Sequence, residues 1–551
     1  MNPFRFTYSN LWPACAGSYL PTGRSLMATS FQRVVFRTLL AVLMLACANA
    51  ASASTAAAAA PQTVEVRIDA RAHGTPFPHF WERMFGSGRA VLALRAAYRR
   101  DLSMVKRATG FDYVRMHGIF DRGVGLFHIG ADGKPVYNFS YVDQIYDGLL
   151  ARGVKPFVEL SFMPPALAAN PHDSNGFWYH PVTSPPRSYA LWDAMIRAFA
   201  RHLIARYGID EVSTWYFEVW NEPNLNFWTG EPRQSTYFEL YDHTARALKS
   251  VSARLRVGGP ATAQAAWVPA FLAHARAHHV PVDFVSTHVY GDDTAQNVLH
   301  ENVHIPREQM VCRAVDKVHR EIAASPDPHL PLILSEYNAS YMNLHNVTDS
   351  AYMGPWLAGT IAQCAGKVDM MSYWAFSDVF EEQGVVKTPF YGGFGVVAVD
   401  GIRKPAFNAF ALLHKLGHTR LPVAAPDVIA TRRKDGDLAL ALWNYAPPVS
   451  ATPQYVDAAP TGTSRQFVVH LENLPAHAYA TLWRLGRHHG DVMRLYDAMG
   501  RPAFPTRAQI ARLREAGRLA PPQVLRIDHN TLRLTLPPYG LALLEVHAAA
   551  P

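Results

Sequence analysis

Eight short apolar segments between residues 76 and 415 are each followed by a longer segment with helical periodicity. Residues 187–208 show this periodicity, with the apolar side chains of Met195, Phe199 and Leu203 on one helical face. Strands and helices that alternate in this way are typical of a parallel sheet closed into a barrel. We therefore predict an α/β fold, a (β/α)8 TIM barrel, over residues 76–415. The eight predicted strands lie in residues 79–86, 111–118, 155–162, 214–220, 255–260, 283–290, 330–337 and 368–376.

From residue 416 the chain changes to short alternating segments such as "LALALWNYA" and "QFVVHLENL", separated by turns rich in Pro, Gly, Asp and Asn. This alternation is typical of antiparallel strands. We predict an accessory antiparallel β-sandwich over residues 416–551, interrupted by a short helix at 506–517. The strand-like "QTVEVRID" in residues 61–75 precedes the barrel and is expected to join the same sandwich.

Residues 1–60 have the composition of a leader followed by an Ala-rich linker. Arg33 and Arg37 precede the apolar run "TLLAVLMLACANA", which is too short to span a bilayer but is typical of a signal peptide. We therefore expect an exported protein, periplasmic or extracellular. Cys47 leaves a lipid-anchored form open. No later segment is apolar enough to predict a transmembrane helix.

Charge and cysteine content bear on partners and cofactors. The net charge of +8 is spread along the chain without a basic block, so we expect no nucleic-acid partner. Export permits a disulfide between Cys312 and Cys364, and two free thiols are the alternative. No CxxC spacing occurs, and we expect no metal site and no cofactor. The oligomeric state stays open, a homo-oligomer included.

The fourth predicted strand ends in Asn221, Glu222 and Pro223, a polar group that is costly to bury and cannot extend a sheet. Pro223 ends the strand and restricts the conformation of Glu222, which fixes this carboxyl group in one place. Barrel enzymes carry their working residues at the carboxyl ends of their strands. Glu222 is therefore a candidate catalytic residue, and Glu218 within the strand is a candidate supporting residue.

The seventh predicted strand, "PLILSEY", ends its apolar run in Glu336. A strand buried on both faces has no reason to end in a carboxylate unless something faces that group. Two carboxylates on opposite walls of one pocket are the minimum for hydrolysis of a glycosidic bond. One protonates the leaving oxygen while the other attacks the anomeric carbon or activates water. We therefore expect Glu222 and Glu336 to face each other.

Polar pairs with two-residue spacing end two further strands. Arg115 and His117 end the second strand, and His288 and Tyr290 end the sixth. This spacing aims both side chains of a pair to the same side of the strand. We expect them to bind sugar hydroxyls or to contact the carboxylates, with Tyr290 donating a hydrogen bond to Glu336.

The segment "WYFEVWNEPN" resembles the active-site signature of glycoside hydrolase family 39, which contains β-xylosidases and α-L-iduronidases. The segments "YVRMHGIF", "DFVSTHVY" and "SYWAFSDVFEEQG" are also similar to that family, so the resemblance covers nearly everything after the leader. It implies a retaining hydrolase without metal or cofactor, in which Glu222 is the acid/base and Glu336 the nucleophile. Asn221 matches the asparagine that contacts the 2-hydroxyl of the sugar. The resemblance further implies a sugar pocket that includes His117, Phe177, His288, Tyr290, Trp374 and Glu382.

The choice of sugar depends on charge in this pocket. An α-L-iduronidase must hold a carboxylate, and the iduronidases of the family keep a lysine shortly after the sixth-strand histidine, where this chain has Tyr290. Glu381 and Glu382, in the loop after the eighth strand, would repel a uronate. We therefore predict an exo-acting β-xylosidase that releases xylose from the non-reducing ends of xylo-oligosaccharides, a step in xylan degradation.

Three alternatives stay open. A retaining hydrolase of the same family with another glycone (arabinopyranoside, glucoside or iduronide) would use the same two carboxylates. An enzyme that cuts an exopolysaccharide internally would also use them. A non-catalytic sugar-binding protein is the alternative from a different class, and two facing carboxylates disfavour it.

Overall fold

The structure of the protein is a computed structural model that describes residues 61–449, 460–475 and 477–548. The predicted leader and linker, residues 1–60, lie outside the described residues. Among the helices of the described part, none is both long and apolar enough to cross a membrane.

Eight parallel strands form a closed barrel. They are hydrogen-bonded in chain order, and the eighth strand closes the barrel by pairing with the first, where Tyr373 lies opposite Phe85. Each strand overlaps one of the eight predicted segments, so the prediction of an α/β TIM barrel is confirmed. The barrel strands, first to eighth, are Met84–Ser87, Tyr113–Met116, Lys155–Leu160, Tyr216–Val219, Arg256–Thr262, Phe284–Tyr290, Leu332–Asn338 and Met370–Tyr373.

Helices cover the outside of the barrel because each presents one apolar face to the strands. The helix Tyr189–Tyr207 begins where the Ser188 hydroxyl accepts a hydrogen bond from the Leu191 amide, and it buries Trp192 and Phe199. The longer helices are Ala96–Thr109, Ser140–Leu150, Tyr189–Tyr207, Arg233–Val251, Val268–Ala277, Arg307–Ala323, Met353–Cys364 and Pro405–Leu413. The remaining helices of the described residues are Ile209–Val212, Ala295–Leu299, His345–Thr348, Met493–Ala498 and Arg507–Ala516, and 3-10 turns are Ala90–Leu94, Ala263–Ala265 and Val399–Gly401.

Two further sheets form the β-sandwich. A three-stranded sheet has the order Gln62–Asp69, Arg465–Glu472, Thr531–Leu536, and its first two strands run parallel, which departs from an all-antiparallel sandwich. A seven-stranded antiparallel sheet faces it, in the order Thr75–Pro76, Thr419–Arg420, Val428–Arg432, Leu438–Asn444, Gly540–His547, Tyr479–Leu485, Gln523–Arg526. Two small hairpins pair Phe127–Ile129 with Pro135–Tyr137 and Val397–Ala398 with Ile402–Arg403.

The central strands of the seven-stranded sheet are buried on both faces. In its strand Leu438–Asn444, Leu440 and Leu442 pack in the core shared with the three-stranded sheet. Ala441 and Trp443 alternate with them and pack in the main core, which contains the barrel helices. The sheet therefore belongs to two cores at once.

A buried ion cluster holds the loop that follows the eighth barrel strand. Lys404 Nζ lies 2.7 Å from a carboxylate oxygen of Asp349 and 2.6 Å from one of Asp378, and all three side chains are fully buried. The same carboxylates accept hydrogen bonds from the amides of Gly392 and Gly395, each at 2.7 Å. Removal of one partner from such a cluster leaves an uncompensated buried charge. The cluster therefore fixes a loop of the barrel mouth.

A disulfide joins Cys312 and Cys364, which decides between the two alternatives that the sequence leaves open. The bond connects the helices Arg307–Ala323 and Met353–Cys364 on the outside of the barrel. It closes a loop with a sequence separation of 52. The chain-entropy estimate for a loop of this length is a stabilisation of about 4 kcal/mol.

Candidate active site

Glu222 lies at the carboxyl end of the fourth barrel strand in an unusual backbone conformation. Trp220 has φ of 73° and Glu222 has φ of 43°, a region that costs a non-glycine residue about 1–3 kcal/mol. Proline normally favours an extended residue before it, so this is not the conformation that Pro223 alone predicts. The Glu222 amide donates a hydrogen bond to the Ala261 carbonyl at 2.8 Å. The neighbouring loop thus helps to hold the carboxyl group in place.

The two predicted carboxylates lie together at the barrel mouth. Glu222, His288 and Glu336 each offer one ligand atom, and the three atoms lie within 4.8 Å of one another. His288 Nδ1 is 3.0 Å from Glu222 Oε1 and 3.7 Å from Glu336 Oε1. Both carboxylates line one cavity of about 380 Å³. The arrangement can therefore act on a molecule from two sides.

Glu336 accepts strong hydrogen bonds. The Tyr290 hydroxyl donates to Oε2 at 2.6 Å, the contact that the sequence predicts. Arg115 Nη1 donates to Oε1, also at 2.6 Å. Both donors stabilise a negative charge on this carboxylate and fix its orientation. Glu336 is therefore prepared to act as a nucleophile.

Glu222 has a different environment. Burial raises its pKa to about 7, against the opposing effect of His117 and Arg115. Burial also lowers the pKa of His288 to about 4, so its ring is neutral at neutral pH. A neutral ring can donate from Nδ1 to an ionised Glu222 or accept from a protonated one. Glu222 can thus gain and lose a proton near pH 7.

Arg115 links Glu336 to the strand that ends in Asn221 and Glu222. Its guanidinium is fully buried and donates to Glu218 at 2.6 Å and to Asn221 at 2.9 Å, in addition to Glu336. Neither Arg115 nor His288 is among the residues that line the cavity. Arg115 contacts Glu336 and His288 contacts Glu222, which is one of the two roles that the sequence predicts for these side chains. Glu218 lies in the supporting position that the sequence predicts.

His117 forms part of one cavity wall. Its Nδ1 lies 2.7 Å from Glu159, and its Nε2 lies 3.5 Å from Glu382. Burial alone would lower the pKa of His117, but Glu159 and Glu382 outweigh it and raise that pKa to about 10. The ring is therefore a cation. Its centroid lies 4.7 Å from the Trp374 ring and 5.9 Å from the Phe177 ring.

The structure brings most of the predicted site residues to this cavity. Predicted residues that line it are His117, Phe177, Asn221, Glu222, Tyr290, Glu336, Trp374 and Glu382. The remaining lining residues were not predicted, and they are Leu225, Phe227, Ala263, Gln264, Asp293, Tyr341, Gln383 and Phe394. Most of these lie in loops, where no strand periodicity marks a side chain as facing the mouth.

Two acidic residues have positions that the sequence did not predict. Glu381 does not line the cavity, because Arg89 and Arg95 each pair with it at 2.5 Å. Glu381 therefore does not repel a uronate in this cavity, and the prediction from the sequence is wrong for this residue. Glu159 was missed, although it is a buried carboxylate at the end of the third barrel strand and contacts Arg115 at 2.8 Å. The signal that found Glu336, a carboxylate ending an apolar strand, applies to Glu159 as well.

Possible metal ligands occur at three places in the described chain. Glu222, His288 and Glu336 have suitable spacing, and His288 Nδ1 and Glu222 Oε1 contact each other directly at 3.0 Å. His79, Glu82 and His414 form a second such group, with Glu82 Oε1 within 2.8 Å of both rings. A HExxH spacing, which the expectation of no metal site did not take into account, occurs at residues 300–304. That segment follows the end of the helix Ala295–Leu299, so it lacks the helical face that places both histidines of this motif on one ion.

Comparison with known proteins agrees with this geometry. The sequence profile of glycosyl hydrolases family 39 matches residues 64–523. The chain is 39% identical over 451 residues to a β-xylosidase of Geobacillus stearothermophilus, covering 80% of this chain and 86% of that protein. The crystal structure of a monomeric β-xylosidase from Caulobacter crescentus CB15 superposes with a TM-score of 0.81 at 36% identity, covering 88% of this chain and 100% of that one. An α-L-iduronidase of Mus musculus is 28% identical over 157 residues, covering 28% of this chain and 22% of that protein.

The profile spans both the barrel and most of the sandwich, and the coverage of the bacterial relatives is nearly complete. The Asn221-Glu222 pair and Glu336 lie at the mouth of the fold that this family uses. The chain therefore belongs to glycoside hydrolase family 39.

Proposed function

We propose that the protein is a retaining β-xylosidase that removes xylose from the non-reducing ends of xylo-oligosaccharides. One observation carries the proposal: a carboxylate oxygen of Glu222 and one of Glu336 lie within 4.8 Å of each other beside one cavity. Retaining enzymes keep their two carboxyl groups roughly 5–5.5 Å apart, whereas inverting enzymes need about 6.5–9.5 Å to fit a water molecule. The short spacing supports direct attack by a carboxylate. The β-xylosidase relatives support the choice of xylose.

The reaction proceeds in two steps. Glu336 attacks the anomeric carbon while the bond to the leaving oxygen breaks, and Glu222 gives its proton to that oxygen. Water then loses a proton to Glu222 and attacks the glycosyl–enzyme, which releases the sugar and restores Glu336 as a carboxylate. Esterification of Glu336 removes its negative charge, so the pKa of Glu222 falls between the two steps. The same residue therefore serves first as acid and then as base.

Charge in the cavity supports a neutral sugar. Among the described residues that line it, four carry carboxyl groups and none is lysine or arginine. The cation of His117 is already engaged by Glu159 and Glu382. A uronate would therefore find no lysine or arginine in this lining with which to pair.

Loop contacts support exo action. The Trp178 amide donates to the Glu382 carbonyl at 2.8 Å, and the Trp178 indole covers Gly384. These contacts join the loop that carries Phe177 to the loop after the eighth strand. They restrict the cavity beside the wall formed by His117 and Trp374, which supports binding of a terminal sugar unit rather than passage of a polymer.

The disulfide supports an exported protein. Disulfides persist in oxidising compartments and are rare in the cytosol. The bond between Cys312 and Cys364 agrees with the signal-peptide pattern of the leader. We propose a periplasmic or extracellular location on these two grounds.

A substrate panel tests the proposal. Purified protein is assayed on aryl β-xyloside, α-arabinoside, β-glucoside, β-galactoside and iduronide, and the products from a long xylo-oligosaccharide are separated by chromatography. We expect the xyloside to give the highest kcat/KM and the oligosaccharide to release xylose as the first product. Dominant cleavage of the iduronide would contradict the charge argument. Early release of internal fragments would contradict exo action.

The pKa of Glu222 sets the alkaline side of the pH profile. Glu222 must be protonated to serve as the acid, so kcat/KM for xylobiose is expected to fall as the pH rises through about 7. An aryl xyloside with a good leaving group needs less proton donation and should show a shallower fall. A kcat/KM for xylobiose that rises through this range would assign the acid role to another group.

A further inference from the structure

The cavity has a second wall that the two-step reaction does not use. We propose that Gln264 and Asp293 form the leaving-group subsite and bind hydroxyl groups of a neutral sugar unit that departs from Glu222. This assignment rests on the proposed glycosidase function. It identifies the residues that bind the sugar unit on the leaving side of the cleaved bond.

The order of the barrel strands divides the cavity into two sides. Glu222 follows the fourth strand and Glu336 lies on the seventh. The side between them that contains the eighth and second strands carries Trp374 and His117, and it is closed by loop contacts. The other side contains the fifth and sixth strands alone, and Gln264 and Asp293 come directly after these strands. We therefore assign the unit that leaves to this side.

Hydrogen bonds tie this side to the acid/base residue. The Glu222 amide donates to Ala261, and the Ala263 amide donates to Asn224 Oδ1 at 2.9 Å. Asn224 Nδ2 returns a hydrogen bond to the Ala263 carbonyl at 3.0 Å. The leaving oxygen must lie within reach of the Glu222 carboxyl group. The sugar unit attached to that oxygen is therefore placed beside the loop that carries Gln264.

Gln264 and Asp293 are held toward each other. Gln264 Nε2 donates to Asp293 Oδ1 at 3.1 Å, and the Tyr290 amide donates to Asp293 Oδ2 at 2.7 Å. Gln264 has φ of 61°, and its neighbour Ala265 has φ of 52°, so the loop keeps an unfavourable backbone to aim this side chain. Strain of this kind persists where the surrounding structure enforces it, and it is concentrated at ligand sites.

The chemistry of the pair indicates the ligand. An amide side chain offers both donors and acceptors, and sugar hydroxyls need both. Burial raises the pKa of Asp293 to about 7, although the bonds from Tyr290 and Gln264 oppose this, so near neutral pH its carboxyl group is present in both donor and acceptor forms. Glu222 lies near enough to contribute to that shift. Among the described residues that line the cavity there is no lysine or arginine, which disfavours an anionic leaving unit and favours a neutral one such as xylose.

The test compares a sugar leaving group with an aryl leaving group. Gln264→Ala and Asp293→Asn are assayed on xylobiose and on 4-nitrophenyl β-xyloside, with Gln309→Ala and Asp132→Asn as matched controls at exposed positions. We expect kcat/KM for xylobiose to fall about 10- to 100-fold further than kcat/KM for the aryl xyloside in the two test variants. The controls should leave this ratio unchanged.

Transfer of the glycosyl group to an added sugar is a second measurement of the same subsite. Xylose added as an acceptor competes with water for the glycosyl–enzyme formed from the aryl xyloside. The share of transfer product should fall at least about tenfold in Gln264→Ala and Asp293→Asn, because the acceptor occupies the leaving-group position. Thermal melting checks that each variant is folded. A Gln264→Ala protein that fails to fold is replaced by Gln264→Met, which keeps the length of the side chain but removes its amide group.

The outcomes separate the two proposals. Equal losses on both substrates with unchanged transfer would overturn the subsite while the glycosidase function stands. A wild-type protein that cleaves none of the panel glycosides would overturn the glycosidase function itself. In that case titration calorimetry of wild type and Asp293→Asn with xylose and xylobiose still tests the subsite. Loss of the preference for xylobiose over xylose in the variant supports it, and equal binding by the two proteins overturns it.

Discussion

Replacement of Glu336 by alanine is expected to lower kcat/KM for an aryl β-xyloside by at least about 10⁴-fold. The substitution removes the group proposed to form the covalent bond, and it leaves Arg115 and Tyr290 pointing at an empty position. A good leaving group cannot compensate, because the nucleophile is needed whatever departs. Steady-state kinetics on the purified variant measures the loss.

The matched control is Glu301→Ala, an exposed glutamate outside the cavity, which should retain full activity. A 2-deoxy-2-fluoro aryl xyloside should label the wild-type protein at Glu336, and mass spectrometry of the peptide locates the label. Labelling elsewhere, or a tenth of the wild-type activity in Glu336→Ala, would show that another residue is the nucleophile.

Replacement of Glu222 by alanine is expected to have an effect that depends on the leaving group. The kcat/KM for xylobiose should fall about 10²- to 10⁴-fold, because its leaving oxygen needs a proton. An aryl xyloside with a good leaving group should still form the glycosyl–enzyme, and the second step should then be slow because water lacks its base. Added azide needs no base, so it should accelerate turnover and give a β-glycosyl azide.

The configuration of that azide also tests retention. A β-azide requires two displacements, whereas an α-azide would indicate a single displacement and an inverting enzyme. Wild-type activity of Glu222→Ala on xylobiose would mean that a different group is the acid. Glu231→Ala, an exposed glutamate in the loop after the same strand, is the matched control.

The barrel could be predicted from the sequence because its strands are buried on both faces. Segments such as Leu332–Asn338 therefore appear as apolar runs, and a carboxylate that ends such a run is conspicuous. The same local rule placed Glu222 and Tyr290, because strand ends and two-residue spacing determine where side chains point. Local patterns of this kind are sufficient to predict the eight strands, the two carboxylates and the contact from Tyr290 to Glu336.

Features that depend on distant partners could not be predicted in the same way. Glu381 turns away from the cavity because Arg89 and Arg95 reach it from 292 and 286 positions away. Glu222 adopts a left-handed backbone through a bond to the loop after the fifth strand, against the local preference set by Pro223. Gln264 and Asp293 lie in loops without periodicity. Each of these depends on the tertiary arrangement and leaves no mark in the neighbouring sequence.

The sandwich is completed by both ends of the described chain, so its parts are synthesised at different times. Glu65, on the strand Gln62–Asp69, meets a partner residue 405 positions later, at His470. At ribosomal rates of about 5–20 residues per second, the partner strand is made roughly 20 to 80 s afterwards. During that interval the earliest strand and the helices beneath the seven-stranded sheet have apolar surface without its final cover. The nascent chain therefore needs protection from aggregation until its last segment has been made.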